Sequence, residues 1–66
     1  MMYLIKEKEK NGITYKVLWD GRQYVISFVY RYRNTFEKRT IYCFKRKSLN
    51  IVIASMFKKI YKGVKR

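Results

Sequence analysis

The sequence predicts an α+β fold. Three or four antiparallel strands, as an open sheet or a small barrel, pack against one C-terminal α-helix. Three observations lead there. Asn11-Gly12 and Asp20-Gly21 bracket a strand-like run, and both dipeptides favour two-residue type I′ hairpin loops. Tyr24, Ile26, Phe28, Tyr30 and Tyr32 then fall at every second position, the period of a strand with one apolar face. Leu49, Val52, Ile53, Met56, Phe57 and Ile60 follow at helical spacing. The whole chain, 66 residues, reads as a single small basic domain.

Residues 3–9 are able to pair as a first strand. Residues 13–19, ITYKVLW, are a strand by residue type. A two-residue loop at Asp20-Gly21 leads into a strand at about 23–33. It pairs Val17 with Tyr24, Tyr15 with Ile26 and Ile13 with Phe28 on one face. Asn34-Thr35-Phe36-Glu37 reads as a four-residue turn before a strand at about 38–45. Tyr30 then meets Ile41, and Phe28 meets Cys43, on the same face.

The opposite face carries Thr14, Lys16, Ser27, Arg31, Arg33, Lys38, Thr40 and Tyr42. It also carries Leu18, Val25 and Val29, with Ile5 beside Leu18 and Glu7 opposite Lys16. This second apolar cluster is what raises the barrel, formed if the first hairpin folds over the sheet.

The helix is expected at about 49–62, with Ser48 as its N-cap and Gly63 just past its end. Ile51-Val52-Ile53 is β-branched and favours a strand, but the stripe continues through Ile60 and decides for a helix. Lys58, Lys59 and Lys62 lie in the last turns, where cations meet the helix dipole favourably.

Composition narrows the function. With no His and one Cys, a zinc site and an internal disulfide are excluded, and no metal or cofactor is expected. The carboxylates number four, and two of them, Asp20 and Glu37, fall in expected turns. No Ser is accompanied by a His, Cys43 lacks an imidazole, and the three Gly are isolated. The chain is therefore read as a non-enzyme. It is also no disordered tail, being 48% hydrophobic and 18% aromatic. No apolar run reaches the ~20 residues of a membrane span. Met1 to Glu7 does not read as a secretory signal, because charges begin at Lys6. A cytoplasmic location is expected, on the nucleoid if the chain binds DNA.

Lys and Arg number 17 against four Asp and Glu, a formal charge of +13. Residues 1–37 hold seven basic and four acidic side chains, 7 − 4 = +3, and residues 38–66 hold ten basic and none acidic, +10. Such a field opposes the compact state, and a polyanion relieves it. Arg31 and Arg33, two apart on one expected strand, project the same way about 7 Å apart, and Arg binds phosphate or guanine edges bidentately. The residues assigned to nucleic-acid contact are Lys16, Arg22, Arg31, Arg33, Lys38, Arg39, Thr40, Tyr42, Lys45, Arg46, Lys47, Lys58 and Lys62.

The segment Tyr24 to Gly63 resembles the arm-type DNA-binding domain at the N-terminus of tyrosine recombinases, related in fold to the plant AP2 domain. The strand YVISFVYRY, the turn RNTFEK, the strand RTIYCFKRKS and the helix ending FKKIYKG carry the resemblance. Phe44 stands just before the basic run and the helix, as in that family. Tyr42-Cys43 replace the family's usual Gly, and the helix lacks its usual Glu. The resemblance implies that Arg31, Arg33, Lys38, Thr40 and Tyr42 face the major groove. The stretch KVLWDGRQYVISFVY is similar to the seven-kilodalton chromatin proteins of thermophilic archaea. That likeness implies minor-groove binding, with Trp19 and Val25 or Val29 acting as apolar wedges.

Double-stranded DNA is the expected partner, bound by a sheet face in a groove, with Lys45 to Lys47 and the C-terminal Lys/Arg on the phosphates. Such a domain suits an accessory factor of a phage or mobile element, or a chromatin-like coat. Besides peripheral membrane binding by the basic amphipathic helix, whose apolar stripe is needed for the core, two alternatives remain at this point. One is RNA or single-stranded nucleic acid stacked on Tyr42 and Trp19. The other is a basic inhibitor that docks on an acidic groove of a host nucleic-acid enzyme.

Overall fold

A computed structural model describes residues 2–64 of the chain. Four strands, β1 (Tyr3–Lys10), β2 (Ile13–Trp19), β3 (Tyr24–Tyr32) and β4 (Thr35–Cys43), are followed by a 3-10 turn (Arg46–Ser48) and a helix, α1 (Leu49–Val64). The strands form one antiparallel sheet in the order β1-β2-β3-β4. The sheet is open, with β1 and β4 as its edges. The barrel is therefore not formed, and α1 covers one face alone. The molecule measures 36 × 22 × 15 Å, two layers thick.

The core lies between sheet and helix. Phe28, Ile13, Ile26 and Val17 are fully buried, and Ile53 and Ile60 of α1 close over them. Burial of each such side chain contributes about 1.5–3 kcal/mol. Around them Tyr15 tilts against Phe28 at 5.6 Å and Trp19 against Tyr24 at 4.7 Å between ring centroids. Cys43 is buried, and its thiol donates to the Lys45 carbonyl at 3.2 Å.

Asn11 and Gly12 take φ of 53° and 80°, as a type I′ turn requires, and join β1 to β2. The next loop departs from expectation. Asp20 does not adopt a positive φ. Its Oδ1 instead accepts the backbone N–H groups of Arg22 and Gln23, both at 2.8 Å, while its own N–H donates to the Gln23 carbonyl at 3.1 Å. The loop thus spans Asp20 to Gln23, and β3 starts one residue later than expected. Val17 pairs with Ile26 and Tyr15 with Phe28, not with Tyr24 and Ile26.

The last turn departs as well. Arg33 and Asn34 carry φ of 50° and 67° and form a two-residue loop, so Tyr32 pairs with Thr35. Asn34 to Glu37 is not a turn; Thr35 to Glu37 already belong to β4. Phe28 therefore meets Arg39, and Ile41 meets Ile26. Both register slips are by an even number of residues. The side chains of β2, β3 and β4 that remain on strands therefore keep their expected faces, since strand faces alternate with period two; Arg33, now in the turn, does not.

At the first strand Glu7 pairs with Lys16 as expected, but Leu4, not Ile5, pairs with Leu18. The register shifts between Leu4 and Lys6, which leaves Ile5 at the irregularity. At the other end α1 runs through Gly63 to Val64, so Gly63 is helical and not a C-terminal stop. Ser48 closes the 3-10 turn, its N–H bonded to the Lys45 carbonyl at 3.1 Å. No hydrogen bond from its side chain caps α1 among the described residues. Lys65 and Arg66, part of the C-terminal basic group, lie outside the described residues.

Candidate nucleic-acid interface

The uncovered face of the sheet is built from three rungs. Leu18, Val25 and Tyr42 form one, Lys16, Ser27 and Thr40 the next, and Thr14, Val29 and Lys38 the third. Arg31 opposite Phe36 extends it toward the last turn. Lys16, Arg31, Lys38, Thr40 and Tyr42, all assigned to contact from sequence, are thus brought onto one face, and all five are exposed. Together with Met2 the rungs line a trough of about 370 Å³. Val25 is 6% exposed although no helix covers it, because Leu18 and Tyr42 flank it on the neighbouring strands. Phe36 stands 78% exposed and Tyr42 60% exposed on β4.

Charge is divided across this face. Glu7 and Glu9 pair with Lys16 and Thr14, so both carboxylates belong to the β1–β2 half. Lys16 Nζ lies 3.9 Å from Glu7 Oε2. The β3–β4 half carries Arg31 and Lys38 and no carboxylate. Glu37 sits between Phe36 and Lys38 in sequence but pairs with Tyr30, and so leaves the sheet on the helix side.

Other assigned residues are placed elsewhere. Arg33 is not on a strand; it occupies the turn, with its guanidinium carbon 5.3 Å from the Tyr32 ring centre. It does not project beside Arg31. Arg39 pairs with Phe28 and lies on the helix side, where its Nε donates to the Tyr30 hydroxyl at 3.1 Å. With Glu37 and Lys59 it lines a cleft of about 420 Å³ beside the end of α1. Arg22, in the loop after β2, and Lys45, Arg46 and Lys47, after β4, are exposed at the same end of the sheet. Lys58 and Lys62 are exposed on α1.

Trp19 pairs with Tyr24 and packs on the helix side. It cannot act with Val29 on the uncovered face, nor stack bases beside Tyr42. Phe36, assigned to a turn from sequence, is an exposed ring of that face which sequence reasoning missed. The alternation through Lys38, Thr40 and Tyr42 would have found it, had β4 been started early enough.

Asp20 has its carboxyl held below the usual carboxylate range, chiefly by the Gln23 N–H and then by the Arg22 N–H. Its role is to shape the loop that carries Arg22. Among the described residues, no group of three or more His, Cys, Asp or Glu is able to hold a metal ion, and no helix is long and apolar enough to cross a membrane. No family model, curated protein or solved structure matches the chain.

Proposed function

We propose that this chain binds duplex DNA through the uncovered face of the β3–β4 hairpin. One observation carries the reading. That half of the face presents Arg31, Lys38, Thr40 and Tyr42, while the carboxylate of the same strand, Glu37, is turned to the other side. Dimensions support it. A two-stranded ribbon fits the ~12 Å major groove of B-form DNA, whereas four strands spaced ~4.8 Å apart are too wide to enter flat. The β3–β4 pair therefore enters, and β1–β2, with Glu7 and Glu9, stays outside. Nine residues per strand give a ribbon about 30 Å long. Arg33 at its turn and Lys45 to Lys47 at its far end lie at the two ends of that length, placed for flanking phosphates. The resemblance to the arm-type domains agrees with this choice of face and groove. An accessory or chromatin-like role in the cytoplasm or on the nucleoid follows from such binding.

The exposed rings of Phe36 and Tyr42 on one face favour a second reading, stacking of single-stranded bases. Fluorescence anisotropy with a labelled random duplex and a single strand of equal length separates the two. Duplex binding is expected to be the tighter, and to weaken steeply between about 50 and 200 mM salt. Tighter binding to the single strand would overturn the duplex reading.

A further inference from the structure

The helix lysines cannot reach a duplex held on the uncovered face of the sheet. Ile53 and Ile60 turn inward from α1. At 100° per residue, Lys58 and Lys62 then point away from the sheet. The whole sheet and the core lie between them and Arg31 or Lys38. They are not isolated there. Lys6, Lys8 and Lys10 pair with Val17, Tyr15 and Ile13, all of which face the helix, so these lysines flank α1 on the β1 side. Lys10 Nζ lies 5.8 Å from the centre of the Phe57 ring, which fixes how close the two banks come. Between the banks runs a groove of about 580 Å³, bordered by Lys10 and Lys58 and floored by Tyr15 and Phe57.

Among the described residues, no carboxylate lines this groove. Glu37, the carboxylate of the helix side that β4 supplies, is in the cleft on the other flank of α1 with Arg39 and Lys59. The helix side is therefore the more strongly cationic of the two broad faces. The uncovered face has Lys16, Arg31 and Lys38 against Glu7 and Glu9. The two faces are opposite sides of a two-layered body, sheet on one side and helix on the other.

We infer that the helix side is a second duplex-DNA surface, and that one copy of the chain bridges two duplexes. The inference rests on the duplex-binding function proposed above. Its occupant follows from charge: five lysines on the helix side, of which Lys10 and Lys58 border the groove, match the phosphates of a polyanion. A single duplex cannot wrap a body no more than 36 Å across so as to meet both broad faces, because DNA is stiff over ~150 base pairs. The second surface thus calls for a second duplex, bound by phosphate neutralisation without reading bases.

The test uses two random duplexes, one biotinylated on beads and one fluorescent. The full chain should retain the fluorescent duplex on the beads. The variant Lys58→Glu/Lys62→Glu alters two exposed side chains and should fold, as checked by circular dichroism. It should lower the retained label by about tenfold or more, while anisotropy still detects binding to a single duplex. Sedimentation without DNA should show a monomer. Undiminished retention by the variant would overturn the inference, as would a stable dimer that bridges with one duplex per copy. Binding of a single duplex with no co-retention would overturn bridging alone. No duplex binding by the unaltered chain would overturn the proposed function together with it.

Discussion

Lys16 and Glu7 face each other across β1 and β2, with Nζ 3.9 Å from Oε2. Both side chains are about half exposed, so the pair is worth little to the fold, well under about 1 kcal/mol. Its consequence is electrostatic. It offsets the cation that β2 brings to the uncovered face and leaves Arg31 and Lys38 as the unopposed charges there.

Glu7→Gln should therefore leave stability within about 0.5 kcal/mol of the parent, read by urea denaturation. Duplex affinity should rise, because a carboxylate near bound phosphates is removed. An unchanged affinity would place the DNA away from this face of the sheet.

Phe28→Ala removes the largest fully buried side chain, wedged between Tyr15 and the helix layer. A loss of about 3–5 kcal/mol is expected, comparable with the whole stability of so small a domain. Loss of the cooperative urea transition is the readout. A change below about 1 kcal/mol would mean that the core does not sit between sheet and helix.

Arg33 tests the last turn. Its φ of 50° is strained for a residue with a Cβ. Arg33→Gly relieves that strain but gives up the contact with Tyr32 and adds freedom to the unfolded chain, so little net change is expected. Arg33→Val should cost about 1–2 kcal/mol, since a β-branched residue tolerates this region least. A Val variant more stable than the Gly variant would argue for Arg33 in a strand.

Asp20 gives a pH signature. Its folded pKa is lowered by the Gln23 and Arg22 N–H groups. The ionised form is thus favoured by folding. The stability it contributes is present above the unfolded carboxylate range and is lost as pH falls through the folded value. Asp20→Asn keeps the side-chain oxygen but not the charge. The variant should be less stable than the parent near neutral pH, and the difference should close in strong acid. A difference independent of pH would show that charge plays no part in the loop.

Much of this arrangement was legible from residue type and alternation. The faces of β2, β3 and β4 follow from the alternation of Val17, Ile26, Phe28 and Ile41, and they survive wrong registers because both slips were even. The registers themselves were not legible. Asp20-Gly21 has the composition of a type I′ turn, but the Asp20 carboxylate binds two backbone N–H groups and holds a longer loop. Arg33-Asn34 makes a type I′ turn with no Gly to mark it. That turn moved Arg33 off the strand and Phe36 onto it. Arg39 was assigned to contact by charge alone, although it shares parity with Ile41 and Cys43 and so belongs to the helix side. Lys58 and Lys62 were read as gripping the same duplex as the sheet, because sequence does not show that the core stands between them and Arg31.

The proposed use of the β3–β4 face is tested most directly by the double variant Arg31→Ala/Lys38→Ala. The measurement is the slope of log affinity for a random duplex against log salt. Loss of two phosphate contacts should reduce the magnitude of that slope by about 1.8 and weaken binding at every salt concentration. The unfolding free energy from urea denaturation should stay within about 0.5 kcal/mol of the parent, as both side chains are exposed. An unchanged slope and affinity in the folded double variant would contradict the assignment of DNA to this face.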